Sequence, residues 1–480
     1  MTESNTSKPA QSPLHWPSLI QFILSSLAAF LLLGAAVIIV IISIVQYFTR
    51  GFTLAYLTQP FMVSASLVFA GVLVLPAAWY AWKNVTSLDV QAKSPAEARN
   101  YTLTLTLLVL VVVGGALALG NWASQDNRLA WWLLPPLNII ATGLPALWVI
   151  YIGTRGLIPG MPRRQWAVFA SGLVLGPLII LILELLLLLA MVILALLWIM
   201  LNPSLSNQLN GIVFRLQNAA PNTDAILKVL LPLLLNPGII FLLFAFISVL
   251  VPMLEESLKP IGVWFLAGQK ITPAQGFGYG VLSGAGFGLF ENLGNTSSGG
   301  AEWALLASTR ISTLLLHCFT AGLVGWALVS AWSQRRYLRL GLTYIIAIFI
   351  HGLWNGMAVL STASSSQGLS NISIPTSLQQ IGALSSYGII TLGVIVLVLY
   401  ITANGILRHN ARAPQPPPSP EGGGSSSLED QTLPPGESES YQIVSDPAHS
   451  LSITPDNATQ IPGRETDYLS TGEKYPDTTE

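Results

Sequence analysis

Charged residues are scarce in this chain of 480 residues, at 9% of the sequence, whereas 52% of the sequence is hydrophobic. Soluble domains usually carry about a quarter charged residues, so much of this chain does not face water. A single cysteine, Cys318, excludes a disulfide framework and a cysteine-based metal site. The formal net charge of -1 argues against a general nucleic-acid-binding protein.

Hydrophobic runs long enough to cross a bilayer recur along the chain, which predicts an all-α, polytopic helical membrane protein. The first run, Trp16 to Phe48, is too long for a signal-peptide core and is interpreted as a retained anchor. We expect about ten transmembrane helices, near residues 17–48, 61–82, 101–121, 131–153, 166–201, 238–267, 275–294, 303–332, 341–361 and 384–404.

Polarity divides the chain into four predicted parts. Residues 1–201 form an N-terminal membrane region of about five helices, and residues 202–237 form a polar connector with a predicted interfacial helix near 226–235. Residues 238–404 hold five more spans, and residues 405–480 have the Pro-, Gly-, Ser- and acid-rich composition of a disordered tail. Lys and Arg concentrate in the loops that are inside if both termini are cytoplasmic. We therefore expect a multi-pass plasma-membrane protein of that orientation.

The second half of the chain places ionisable and amide side chains inside its spans, where each charge costs about 2.5–3.5 kcal/mol on the insertion scale. Such residues usually face a functional site in the bundle interior. They are Glu255, Glu256, Lys259, Glu291, Asn292, Arg310, His317, His351 and Asn355. In the first half, Glu184 lies in the run LILELLLLLA without a local partner and is interpreted as a packing or gating carboxylate.

Helical spacing predicts how these side chains are grouped. Glu255 and Lys259 are four residues apart and can pair, whereas Glu256 points about 100° away and can meet another helix. Pro260 removes the hydrogen bond to the carbonyl of Glu256, which predicts a bent or opened helix beside the two carboxylates. Arg310 with His317, and His351 with Asn355, share a helix face, so Arg310 and Asn355 could orient an imidazole or stabilise an oxyanion.

Carboxylates, imidazoles and water together indicate hydrolysis, with a buried glutamate as the general base. Glu255, Glu256, His317 and His351 could equally ligate one zinc ion, and the residue types do not separate the two versions. The aspartyl type of intramembrane protease is excluded because no predicted span contains Asp. The HExxH zinc type is excluded because neither His317 nor His351 is followed by Glu.

Four motifs in this order resemble the PrsW intramembrane proteases, which are distant relatives of the CAAX-processing and bacteriocin-processing membrane proteases. The motifs are EESLK (Glu255, Glu256, Lys259), GFGLFEN (Phe287, Glu291, Asn292), Arg310 with His317, and HGLWN (His351, Asn355). The resemblance covers about residues 240–360. One departure is Gln275, which occupies a place where the family pattern often has an acid.

The resemblance implies an intramembrane endopeptidase that cleaves membrane-anchored protein substrates such as anti-sigma factors. It implies a catalytic site of Glu255, Glu256, Glu291, His317 and His351, with Lys259, Asn292, Arg310 and Asn355 in support. The family is usually labelled metalloprotease, whereas its relatives resemble glutamate-activated water enzymes, so the zinc ion stays an open alternative.

Two other readings of the same residues stay open. A proton-coupled membrane transporter could use the buried Glu and His network as a proton relay. The two halves differ in polar content, however, and share no motif, which is unlike the internal repeats of transporters. A non-catalytic membrane scaffold would keep the polar core but place Glu and His too far apart to share one water molecule.

Overall fold

The computed structural model describes residues 15–86, 101–158, 162–217, 226, 229–230, 233, 236–365 and 376–412. Within these ranges the protein is helical and has no strand, which confirms the all-α prediction. The predicted tail beyond Arg412 and most of the predicted interfacial helix lie outside the described residues.

The N-terminal region contains five predicted spans. α1 is Trp16–Arg50, α2 is Leu54–Val85, α3 is Thr102–Ser124 and α4 is Asn127–Thr154. α5 (Pro162–Ala170) continues through one π-helical turn, Ser171–Leu175, into α6 (Gly176–Leu201). α7 (Pro203–Gln217) follows directly, so the polar connector predicted at 202–237 begins with a helix.

The second half begins with α8 (Pro237–Ala245), a π-helical turn (Phe246–Leu250) and α9 (Val251–Leu258). The remaining helices are α10 (Ile261–Trp264), α11 (Pro273–Thr296), α12 (Trp303–Gln334), α13 (Tyr337–Ser365) and α14 (Thr376–Arg412). A 3-10 turn, Gly300–Glu302, precedes α12.

In the described part of the chain, nine helical segments are long and apolar enough to cross a membrane. α11 is the tenth helix at a predicted span, and its 24 residues reach about 36 Å. Its many glycines lower its hydropathy, so it is absent from the nine. The prediction of a polytopic protein with about ten membrane helices is confirmed.

α11 lies at the centre of the bundle and brings the other helices to the site. Its most extensive packing is against α12, and it also contacts α4, α6 and the π-helical turn before α6. Gly276, Gly280, Gly284 and Gly288 of α11 repeat every four residues and form a glycine stripe that faces α12. A Cβ atom at Gly284 would lie 2.5 Å from the backbone oxygen of His317. The stripe therefore allows the close helix approach expected from its spacing.

Candidate active site

The first part of the site is a break between α9 and α10. Pro260 lacks an N–H group, and the helix ends at Leu258 and restarts at Ile261, which confirms the predicted opening. Ser283 of α11 holds this break: its hydroxyl donates to the backbone oxygen of Lys259 (2.6 Å) and accepts from the N–H of Gly262 (3.2 Å). No pattern in the sequence indicates this role of Ser283.

Lys259 gathers the two carboxylates of α9 into a cluster with His351 of α13. Its Nζ lies 2.7 Å from Glu255 Oε2 and 2.9 Å from Glu256 Oε1. The Nζ is also 3.2 Å from Nδ1 of His351, and that ring nitrogen is 2.9 Å from Glu256 Oε1. Glu256 therefore meets another helix as expected, but it also shares Lys259 with Glu255. We name Glu255, Glu256, Lys259 and His351 the lysine cluster.

The lysine cluster is almost closed to its surroundings, with one partial opening at Glu255. The side chains of Lys259 and Glu256 are 0% exposed, whereas the Glu255 side chain is 10% exposed. The ring of Phe287 in α11 covers the lysine, with Nζ 5.1 Å from the ring centroid. This cation–π contact and the two carboxylates together offset the cost of burying the ammonium group.

A second cluster joins α11 and α12. Glu291 contacts Arg310 Nη2 at 2.6 Å and His317 Nε2 at 2.7 Å. Asn292 accepts from Arg310 Nε and donates to the Arg310 backbone oxygen, both at 2.8 Å. Arg310 and His317, two helical turns apart, thus both reach one carboxylate. We name Glu291, Asn292, Arg310 and His317 the arginine cluster.

The two clusters meet at their histidines. The rings of His317 and His351 lie 5.4 Å apart, centroid to centroid, at an interplanar angle of 85°. One ligand atom each of Glu255, His317 and His351 lies within 4.8 Å of the others. Three different helices thus supply one carboxylate and two imidazoles to a single small volume. These three groups are close enough to share one water molecule.

The same three residues have the donor chemistry of a zinc site, since two histidines and one glutamate are a known catalytic ligand set. Among the described residues, Nδ1 of His317 is buried and has no hydrogen-bond partner, although its Nε2 lies beside Glu291. Glu256, which the sequence analysis also considered as a ligand, is outside this group, because its Oε1 contacts Lys259 and His351. Glu255, His317 and His351 therefore fit a metal ion.

Asn355 and Glu184 lie in surroundings that could not be predicted from the sequence. The side-chain amide of Asn355 donates to the backbone oxygen of Ile247, 3.1 Å away, in the π-helical turn before α9. Its expected role in orienting an imidazole stays a prediction. Glu184 of α6 is half-buried, and α6 packs against α9, the helix that carries Glu255. The isolation of Glu184 in an apolar run was visible in the sequence, but the packing of its helix against α9 was not.

Comparison with known protein families bears on this geometry. Residues 164–378 match the PrsW-protease family model, described as PrsW family intramembrane metalloprotease. This stretch of the chain is a PrsW family protease domain. No curated protein and no solved structure matches the chain.

The matched range begins within α5 and ends in the first turn of α14, so it includes both clusters and Glu184. The family resemblance predicted from the four motifs is therefore confirmed, as is the prediction of an intramembrane protease. The match favours this reading over the proton-coupled transporter. Residues 1–163 lie outside the matched range.

Proposed function

We propose that this protein is an intramembrane endopeptidase that hydrolyses peptide bonds of membrane-anchored protein substrates, with Glu255 as the general base. The observation that carries the proposal is the approach of Glu255, His317 and His351 to within 4.8 Å of one another inside the bundle. A peptide bond there would meet a carboxylate that can accept a proton from water. It would also meet two imidazoles that can stabilise the oxyanion developing on the carbonyl oxygen.

Glu255 is the better base of the α9 pair because of its surroundings. Its carboxylate belongs to the three-residue group and lies on the partly open side of the lysine cluster. Glu256 is fully buried and contacts Nδ1 of His351, which leaves Nε2 of His351 directed toward Glu255 at 3.7 Å. We therefore assign proton transfer to Glu255 and the orientation of His351 to Glu256.

A different cluster orients each of the two histidines in the proposed reaction. Glu291 holds Nε2 of His317, and Arg310 in turn holds Glu291. With the N–H at Nε2 directed toward Glu291, the lone pair at Nδ1 of His317 is available to bind a group in the shared volume. Lys259 offsets the negative charge of the carboxylate pair beside it. The arginine cluster thus orients one imidazole and the lysine cluster the other.

As the alternative to metal-free water activation by Glu255, we propose that Glu255, His317 and His351 would hold one zinc ion, in which case the Glu255 carboxylate would be a ligand and not the general base. Such an ion would polarise the scissile carbonyl and lower the pKa of its bound water. Metal analysis of the purified protein, together with cleavage before and after a chelator, tests this assignment. Stoichiometric zinc that is lost in the His317→Ala variant would support it. Full cleavage by metal-free protein would leave water activation to Glu255 alone.

The substrate class follows from the location of the site among apolar helices. A substrate would need a segment anchored in the same bilayer, and an anti-sigma factor is one proposed example. We further propose a plasma-membrane location with both termini cytoplasmic, as the distribution of Lys and Arg indicates. Accessibility labelling of cysteines introduced at the two ends of the chain would test this orientation.

The proposed reaction can be tested with Glu255→Gln, which keeps the size of the side chain but removes its basicity. In liposomes containing epitope-tagged single-span membrane proteins, an anti-sigma factor among them, we expect cleavage to fall about 10³-fold. Glu302→Gln is the matched control, because Glu302 is an exposed acid outside both clusters. Undiminished cleavage by Glu255→Gln, Glu256→Gln and the double variant would contradict the proposal.

A further inference from the structure

A continuous chain of buried hydrogen bonds links the short connection between α11 and α12 to the N-terminal region. Nε1 of Trp303, the first residue of α12, donates to Oδ1 of Asn138 in α4 (3.0 Å). Nδ2 of Asn138 donates to Oγ of Ser66 in α2 (3.3 Å), which lies 3.1 Å from Oγ of Ser297, directly after α11. The hydroxyl of Ser297 donates to the backbone oxygen of Leu293 in the last turn of α11 (2.6 Å). We name Ser66, Asn138, Ser297 and Trp303 the connection network.

The hydrogen bonds of the connection network have a single consistent direction. An indole nitrogen only donates, so the side-chain oxygen of Asn138 faces Trp303 and its NH2 group faces Ser66. Since the hydroxyl hydrogen of Ser297 is directed to Leu293, the hydroxyl of Ser66 donates to Ser297. The four side chains are at most 6% exposed. Loss of one member therefore leaves a buried polar group without its partner, which is costly because water does not replace it.

Three N-terminal helices enclose the same connection. A Cβ atom at Gly120 of α3 would lie 2.0 Å from the ring of Trp303, so the absence of a side chain at Gly120 makes room for the indole. Ser124 and Gln125, at the end of α3, both donate to the backbone oxygen of Ala301 at 3.2 Å. α3 and α4 pack against α12, and α2 and α4 pack against α11. Residues outside the PrsW family match thus hold two helices that lie inside it.

The two helices held in this way carry the arginine cluster. Leu293 lies two residues beyond Glu291, and Arg310 lies about two helical turns after Trp303. The contacts of Glu291 with Arg310 and with His317 both cross from α11 to α12, so they depend on the height of one helix relative to the other. The connection network joins the end of α11 to the start of α12 through α2 and α4, and therefore bears directly on that height.

We infer that the connection network positions the arginine cluster for catalysis, with Asn138 and Trp303 fixing the height of α11 against α12. Both are positioning residues, because they act through the arginine cluster and touch neither the substrate nor the reacting groups. The N-terminal region, which the family match does not include, thereby takes part in the reaction of the PrsW domain. The inference rests on the proposed function.

The test compares Trp303→Phe with Tyr400→Phe in the full-length protein. Trp303→Phe keeps an aromatic ring but removes the donor to Asn138. Tyr400→Phe removes a similar buried hydrogen bond, from α14 to the backbone oxygen of Val149 in α4, and leaves the connection network intact. We expect kcat per folded molecule to fall about tenfold in Trp303→Phe, with KM unchanged, and to stay within about threefold of wild type in Tyr400→Phe. Equal kcat in the two variants would overturn the inference.

A double-mutant cycle separates positioning from a purely structural role. Glu291→Gln already disturbs the cluster through which Trp303→Phe acts, so we expect kcat of the double variant to fall about 10- to 20-fold, not the roughly 100-fold product of two tenfold losses. Losses that multiply would overturn the inference, because the two sites would then be independent. If Trp303→Phe does not fold, Ser66→Ala breaks the link to Ser297 and keeps the aromatic packing. Ser66→Ala should lower kcat about threefold or more, and wild-type kcat would overturn the inference.

Failure of this inference is distinguishable from failure of the proposed function. If wild-type protein cleaves its substrate and Trp303→Phe does so equally well, only the role of the connection network is wrong. If wild-type protein does not cleave, the proposed function fails, and backbone hydrogen exchange in detergent still tests the network. We expect faster exchange across residues 286–293 and 304–317 in Trp303→Phe but not in Tyr400→Phe. Faster exchange confined to residues 297–303 would overturn the inference without reference to activity.

Discussion

The lysine cluster and the arginine cluster each combine glutamate, histidine and one basic residue, but they differ in burial. The side chains of Lys259 and Glu256 are completely buried, whereas those of Arg310 and Glu291 are 16% and 32% exposed. A buried charge that loses its partner is strongly destabilising, because no water replaces the lost contact. A partly exposed charge can recover some of its hydration. The two clusters should therefore respond differently to the same kind of substitution.

Replacing the cation of each cluster by methionine gives the largest expected difference in stability. Lys259→Met leaves Glu255 and Glu256 side by side without their cation and should lower the free energy of unfolding by about 3–5 kcal/mol. Arg310→Met leaves Glu291 with His317 and partial exposure, and should lower it by about 1–2 kcal/mol. Thermal unfolding in mild detergent measures both variants. Equal losses would mean that burial does not distinguish the clusters.

Replacing the orienting carboxylate of each cluster sharpens the comparison at the level of catalysis. Glu256→Gln weakens contacts to both Lys259 and His351, so we expect kcat to fall about 100-fold. Glu291→Gln weakens the hold on His317, whose ring also packs against Phe287, and should cost about tenfold. Both substitutions should lower kcat and leave KM unchanged. A larger loss for Glu291→Gln would place the more important imidazole in the arginine cluster.

The contacts that the sequence predicted well are those fixed by spacing within one helix. Glu255 with Lys259 is an i,i+4 pair, and Arg310 with His317 lies on one face, so the periodicity of the helix was enough. Helices at the ten predicted positions were also predictable from the length of the apolar and glycine-rich runs, and among the described residues nine of them are apolar enough to cross a membrane. The break at Pro260 followed from the missing N–H group.

Contacts between distant helices could not be predicted, because they depend on helix rotation. The π-helical turns Ser171–Leu175 and Phe246–Leu250 rotate the side chains of α6 and α9 about their helix axes. No residue pattern in the sequence predicts these two turns. The packing of α6, which carries Glu184, against α9 and the donation from Asn355 to Ile247 both follow from that rotation. Similarly, the use of Ser283 to hold the backbone at Lys259 requires the exact height of α11 beside the break.

Adding one methyl group behind His317 tests how closely the arginine cluster depends on packing. Gly284→Ala would place Cβ 2.5 Å from the His317 backbone oxygen, so α11 and α12 must separate. We expect a loss of about 1–3 kcal/mol in the free energy of unfolding, with a lower kcat because His317 moves away from His351. Gly294→Ala in the same helix is the control, since a Cβ there meets nothing within 4 Å. It should be neutral or stabilise α11 by up to about 1 kcal/mol.

The two asparagines give the smallest expected effects and the finest comparison. Asn292 makes two hydrogen bonds to Arg310, whereas Asn355 makes one, to the backbone oxygen of Ile247. We expect Asn292→Ala to cost about 2 kcal/mol of stability and Asn355→Ala about 1 kcal/mol. If Asn355 only supports the π-helical turn, kcat should fall less than about tenfold, in step with the loss of stability. A 100-fold loss of kcat in a fully stable Asn355→Ala protein would instead mean that this amide acts on His351 or on the substrate during the reaction, as its spacing from His351 first indicated.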